Sequence, residues 1–140
     1  MDLEKFVAVS GMSGLFKLVA NRNNGLILED LNNGKRKFVP SRGNQFTPLA
    51  SIGIFTNDGE TTELKAVFKS IADKQEANPV VDPSSPADEL HRYFSEILPE
   101  YDRDKVHTGD IKKVIKWFSF LQERDLLNEP EEATDSEEEE

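Results

Sequence analysis

Cysteine is absent from the 140-residue chain, which excludes a disulfide framework and any thiolate zinc site. The absence is neutral about compartment but fits a reducing cytosol. No stretch approaches the roughly 18 apolar residues needed to span a bilayer as a helix. The start, Met1-Asp2-Leu3-Glu4-Lys5, has neither a basic leader nor a long apolar run. A secretory signal is therefore not expected, and a cytoplasmic location is.

Catalytic and cofactor signatures are equally scarce. The loop Ser10-Gly11-Met12-Ser13-Gly14 superficially resembles nucleophile and phosphate motifs. Counted from Gly11, a nucleophile elbow needs glycine where Leu15 stands, and neither a phosphate loop nor a dinucleotide loop has its spacing. A glycine-rich turn is the expectation. His91 and His107 are the only histidines, have no base-orienting partners in the sequence pattern, and read as surface or interface residues. Asp102 and Asp104 begin like a calcium loop, but Val106 and His107 occupy the next required positions, so a solvated turn is expected. The reading is of a non-enzyme with no catalytic residue, no cofactor and no metal.

Charge, by contrast, is plentiful and sorted by position. Residues 1–75 hold 10 Lys/Arg against 8 Asp/Glu, and residues 76–128 hold 7 against 11. Residues 129–140 hold 8 acids and no base, so most of the net charge of −10 sits in a tail. With no large apolar residue, that tail cannot offset its ordering entropy and is expected to be disordered.

Asn24-Gly25, Asn33-Gly34 and Asp58-Gly59 are hairpin-turn dipeptides. Between and around them lie Phe6–Val9, Leu15–Ala20, Leu26–Leu31, Lys35–Val39 and Ser51–Thr56, all of strand length. So many short strands bury their faces economically by closing into a small SH3-like barrel or under a helix. A helix follows, because Leu64, Val67, Phe68 and Ile71 fall at i, i+3, i+4 and i+7. Pro79, Pro83 and Pro86 mark a linker of extended conformation. Ser85 is placed to cap the next helix, with Pro86 at its first position and Asp88 where a capping-box acid belongs. Its stripe is Leu90, Tyr93, Phe94, Ile97 and Leu98, and Pro99 stops it. Thr108 is placed to cap a last helix whose stripe is Ile111, Val114, Ile115, Phe118 and Leu121, widened by Trp117 and Phe120.

The fold class expected is therefore α+β. Residues 1–74 form a small SH3-like β-barrel with its helix, 75–85 a Pro-rich linker, 86–127 a helical hairpin and 128–140 a disordered acidic tail. Two surfaces are candidates for binding. Arg22, Lys35, Arg36, Lys37 and Arg42 form a basic barrel edge suited to nucleic acid, although a surplus of about two charges is small for that purpose. Lysines on an edge strand also deter aggregation, which gives them a second explanation. Strand alternation puts Lys35 and Lys37 on one face and Arg36 and Phe38 on the other, so Phe38 is expected in the core. Tyr93, Trp117 and Phe120 are candidate protein-interface residues, since a tryptophan at the edge of a helical stripe makes a good anchor. In so small a helical unit the same Trp117 can instead close the core.

At Gly14-Leu15-Phe16-Lys17-Leu18, Leu98-Pro99-Glu100-Tyr101-Asp102, Val106, Asp110-Ile111-Lys112-Lys113 and Lys116-Trp117-Phe118 the chain resembles a family of small acidic bacterial proteins of unknown function. The resemblance covers residues 1 to about 126. It implies that both parts belong together with the tail outside the shared unit, and it carries no reaction, cofactor or catalytic residue. The expected function is a non-enzymatic interaction or regulatory role, binding a protein partner through barrel and hairpin. Nucleic-acid or ribosome association through the basic edge, modulated by the acidic tail, is the alternative. No membrane partner is expected.

Overall fold

The computed structural model describes residues 3–12 and 14–127. The tail expectation falls on residues 128–140 and lies outside the described residues. Strands β1 (Phe6–Val9), β2 (Phe16–Arg22), β3 (Gly25–Asp30), β4 (Arg36–Pro40) and β5 (Phe46–Pro48) form one antiparallel sheet in the order β4-β3-β2-β1-β5. A 3-10 turn, Leu49–Ser51, leads to a separate hairpin of β6 (Gly53–Phe55) and β7 (Thr61–Glu63). Helices α1 (Leu64–Asp73), α2 (Ala87–Ile97) and α3 (Thr108–Glu123) complete the α+β fold. Among the described residues the sheet is open, with β4 and β5 as its edges, where a closed barrel was expected. The fifth sequence-predicted strand instead pairs with β7 outside that sheet, because Asp58-Gly59 turns it back: Gly59 takes φ +86° and Asp58 accepts the Thr56 hydroxyl at 2.6 Å.

β1 reads Phe-Val-Ala-Val because both its faces are buried. Phe6 and Ala8 join the larger core cluster, whereas Val7 and Val9 join a smaller one with Phe16, Leu28 and Val39. Only the sheet's own strands and loops contribute to the smaller cluster. The larger one runs from Leu3 to Leu127 and includes the stripes of all three helices, so α1 shares its core with α2 and α3. Its buried apolar side chains each contribute about 1.5–3 kcal/mol of transfer free energy. Phe68 of α1 meets Phe118 of α3 edge-on, with ring centres 5.6 Å apart.

Polar contacts fix the helices to each other. The last-turn carbonyls of α2 lack helical partners. Ser70 Oγ donates to the Ile97 carbonyl at 2.7 Å, and Lys74 Nζ to that of Glu96 at 2.6 Å. Gln75 and Gln122 exchange reciprocal amide hydrogen bonds at 3.1 and 3.0 Å. The segment between α1 and α2 follows the core as well, with Val80 and Val81 packed against the larger cluster.

The helix caps differ from the sequence expectation. Pro86, not Ser85, is the N-cap of α2: its carbonyl accepts the amides of Glu89 and Leu90 at 3.0 Å, while the Ser85 amide closes a turn onto the Asp82 carbonyl at 2.9 Å. His107, not Thr108, is the N-cap of α3, and Asp110 accepts its amide at 3.0 Å. The Thr108 hydroxyl is directed instead toward His91 Nε2 at 3.2 Å.

Candidate functional site: a cleft between sheet and helical hairpin

One end of β1 passes into the Ser10–Gly14 loop, where Ser10 exchanges hydrogen bonds with Gln45: its amide donates to the Gln45 carbonyl at 2.9 Å and its Oγ accepts the Gln45 amide at 2.8 Å. Gly14 takes φ +79°, and a Cβ there would lie 2.8 Å from the Phe120 ring, so the loop is drawn tightly onto α3. On α3, Asp110, Lys113, Val114 and Trp117 recur at helical spacing and form the opposite wall. Ile52, Ile54 and Phe55 supply a third wall. The cleft, open to solvent on one side, measures about 690 Å³, within the range of ligand-binding clefts.

Its walls are apolar and its charged groups are few. Phe55 is 44% exposed, and Lys105 Nζ lies 5.2 Å from the centre of its ring. Lys105 and Lys113 are the cations and Asp110 the carboxylate. Asp110 accepts the His107 amide through Oδ2, and the two lysines outnumber this one carboxylate as groups that can meet a charged ligand. The arrangement can hold an apolar side chain beside a carboxylate; among the described residues it presents no nucleophile paired with a base.

The wall carrying Lys105 is braced from within. His91 is buried, Nδ1 sharing a hydrogen bond with the Tyr101 hydroxyl at 2.7 Å and Nε2 with Thr108 at 3.2 Å. Burial lowers the His91 pKa, Arg103 and His107 lower it further and Asp88 opposes them, so the neutral ring is favoured. The expectation of a surface histidine is thus corrected: the ring lies on the side of α2 that meets the α2–α3 connection. Tyr101 also bridges Thr56, and the Asp102 amide donates to the Phe55 carbonyl at 2.9 Å. These bonds tie the β6–β7 hairpin to the α2–α3 connection. The Asp102 carboxylate accepts the amides of Asp104 and Lys105 at 2.9 and 3.3 Å, which accounts for the acidic turn.

The sequence-predicted aromatics separate. Trp117 lines the cleft, half-buried. Phe120 fills the space beneath Gly14 and lies 3.6 Å under the Arg124 guanidinium. Tyr93 is only 3% exposed and is withdrawn as an interface residue, because the α2 stripe turns it into the core. Burial pushes its hydroxyl up to about 12, and that oxygen has no hydrogen-bond partner among the described residues. Lys105, Lys113 and Phe55 were missed by sequence reasoning.

The basic residues line β4 rather than converge. Lys35, Arg36 and Lys37 are exposed at one end, Arg36 Nε meeting Glu29 at 3.3 Å and Lys37 Nζ lying 5.5 Å from the Phe16 ring centre. Arg22, beside the turn that opens β3, and Arg42, in the loop after β4, flank the other end. Phe38 is 43% exposed, not core: the alternation holds, but Val39 is the residue of β4 that is buried, while Lys37 two residues before it is exposed. The Phe38 ring covers the backbone of Gly25, where a Cβ would lie 2.7 Å from Phe38 Cζ. Gly25 pairs with Arg22 and Pro40, so it starts β3 and the hairpin turn falls on Asn23 and Asn24.

Taken together these features define an α+β protein whose three helices share the larger of two core clusters with β1 of an open sheet, and whose sheet and helices frame a cleft. The chain belongs to the family described as a domain of unknown function, DUF6852, which matches residues 52–121. Residues 3–49 match a second domain of unknown function, DUF5606. A solution NMR structure from Bacteroides vulgatus, a structural genomics target, is similar at 36% identity over 89% of this chain and 88% of that chain, with a TM-score of 0.68. No curated protein matches. The boundary between the two matched segments falls within the 3-10 turn, and the cleft takes its walls from both sides of that boundary.

Proposed function

We propose that the protein is a non-catalytic, cytoplasmic interaction protein that takes an extended segment of a protein partner in the cleft. One observation carries this reading: a cleft of about 690 Å³ at the seam of the two matched segments combines apolar walls with two lysines. A partner segment with a large apolar residue for Trp117 and Ile54, beside an acid for Lys105 and Lys113, has the matching chemistry. Trp117 is the sole tryptophan, so its fluorescence reports on the cleft directly. Peptides pairing an aromatic residue with flanking acids are expected to shift its emission saturably, and Lys105→Glu with Lys113→Glu to abolish the shift. An equal response to the same peptides with bases in place of acids overturns the reading.

The SH3-like description of the sheet is supported by the strand order β4-β3-β2-β1-β5 and by a cluster built from the sheet alone. A second reading, contact with single-stranded nucleic acid, is favoured by the exposure of Phe38 between basic residues, an arrangement suited to stacking. Reversing Lys35, Arg36 and Lys37 to Glu should then remove low-salt oligonucleotide binding and leave the Trp117 response intact. No oligonucleotide binding by the native chain at low salt eliminates this reading.

A further inference from the structure

The sheet is the positive pole of an acidic chain. Over residues 15–48 it carries Lys17, Arg22, Lys35, Arg36, Lys37 and Arg42 against only Glu29 and Asp30, a net charge of +4 within a chain of −10. Four of the six cations lie on β4 or within two residues of its ends. β4 is an edge strand with β3 as its one neighbour. The Asp30 amide bonds to the Lys35 carbonyl, so by alternation the main-chain groups of Arg36 and Phe38 point away from the sheet. This edge is charged, polar at the main chain and, among the described residues, paired with no second strand.

The chain leaves the helical unit beside it. After α3, the Leu126 amide bonds to the Leu121 carbonyl and Leu127 is buried. Arg124 bonds to the Phe120 carbonyl and, with its other terminal nitrogen, to the Asn32 side chain in the β3–β4 turn. Leu31 and Leu126 both pack against the larger core cluster. The exit at Leu127 thus lies a few residues from a contact with the turn that precedes Lys35.

The segment that follows carries 8 acids and no base in residues 129–140. Its other residues are Pro, Ala, Thr and Ser, so it has no large apolar side chain to fill the cleft. Residues 128–140 fully extended reach up to about 45 Å, whereas a strand the length of β4 spans about 17 Å. Near the exit, Glu29, Asp30 and Glu123 oppose the local cations. Arg22 and Arg42, at the far end of β4, have no acidic neighbour in residues 14–28 or 36–48.

We propose that residues 129–140 lie along the outer edge of β4, their acids facing Lys35, Arg36 and Lys37 and reaching toward Arg42 and Arg22. The contact is electrostatic, adds no strand, and masks this edge from other anions. It does not depend on what the cleft takes.

The absence of cysteine makes the test clean, because Ser136→Cys creates a single attachment point for a nitroxide label. In the full chain at about 0.01 M salt, where charges act over about 30 Å, the label should broaden the amide signals of residues 35–38 and 41–43. The broadening should vanish near 1 M salt, where that range is about 3 Å, and in the chain bearing Lys35→Glu, Arg36→Glu and Lys37→Glu. Broadening centred on Lys105 and Lys113, or confined to the neighbours of Leu127 at every salt concentration, overturns the proposal. Broadening seen only between labelled and unlabelled copies in a mixture overturns it too, since the segment would then belong to a second chain.

Discussion

The cleft and the β4 edge carry cations of the same kind, yet their surroundings differ. At the cleft, Lys105 and Lys113 stand beside Phe55 and Trp117, on walls held by a buried hydrogen-bond network and by the larger core. At the edge, Lys35 and its neighbours lie on or beside a strand that, among the described residues, has β3 as its one neighbour. A charge on a shaped apolar wall can select a partner by size and sign together, while a charge on an open edge selects by sign and is screened by salt. The same side chain therefore has a different capacity according to the packing behind it.

The most damaging test of this contrast removes the packing. Phe118→Ala empties a fully buried site and should cost about 3–5 kcal/mol, visible as a large drop in the denaturation midpoint; unchanged stability would mean that the helices do not share a core. Gly14→Ala is more selective. Its positive φ and the close Phe120 ring predict a loss of about 1–3 kcal/mol together with altered Trp117 emission, while nuclear magnetic resonance signals of β4 stay in place.

Acidity should loosen the cleft wall next. Burial holds the folded-state pKa of His91 below its ordinary 6.5, so between those values the unfolded chain binds more protons. Its contribution is fully present above pH 6.5 and is lost as pH falls toward the folded value. Denaturant titrations across this range should show the slope, and His91→Gln should lower stability at neutral pH while flattening it. The smallest effect belongs to the edge. Reversing Lys35, Arg36 and Lys37 to Glu should change stability by no more than about 1 kcal/mol, because an exposed pair such as Arg36–Glu29 contributes little.

The helices were legible because a stripe such as Leu64, Val67, Phe68 and Ile71 fixes both the element and its buried face. Asn33-Gly34 and Asp58-Gly59 were legible as turns, and Gly34 and Gly59 do take positive φ. β5 and β7, at three residues each, were not, since their identity comes from pairing partners far along the chain. For β4 the alternation was readable but the inward face was not: Val39 and Phe38 are both apolar candidates, and it is Val39 that joins Phe16 and Leu28 in the smaller cluster. The cleft was the least legible feature. Its walls come from residues 8–14, 52–55 and 105–117, and only the helical recurrence of Asp110, Lys113, Val114 and Trp117 hinted at one of them.

β1 has a consequence for how the molecule is assembled. Its alternate side chains belong to different clusters, so a slip of one residue against β2 would exchange the two sets. In most half-buried strands such an error is punished by polar side chains entering the core. Phe-Val-Ala-Val has none, so polarity offers no proofreading here. What discriminates is volume, since a valine would rattle in the space shaped for Phe6, and Phe6 would overfill the space shaped for Val7. The strand at the centre of the fold is thus kept in register by the size of its side chains.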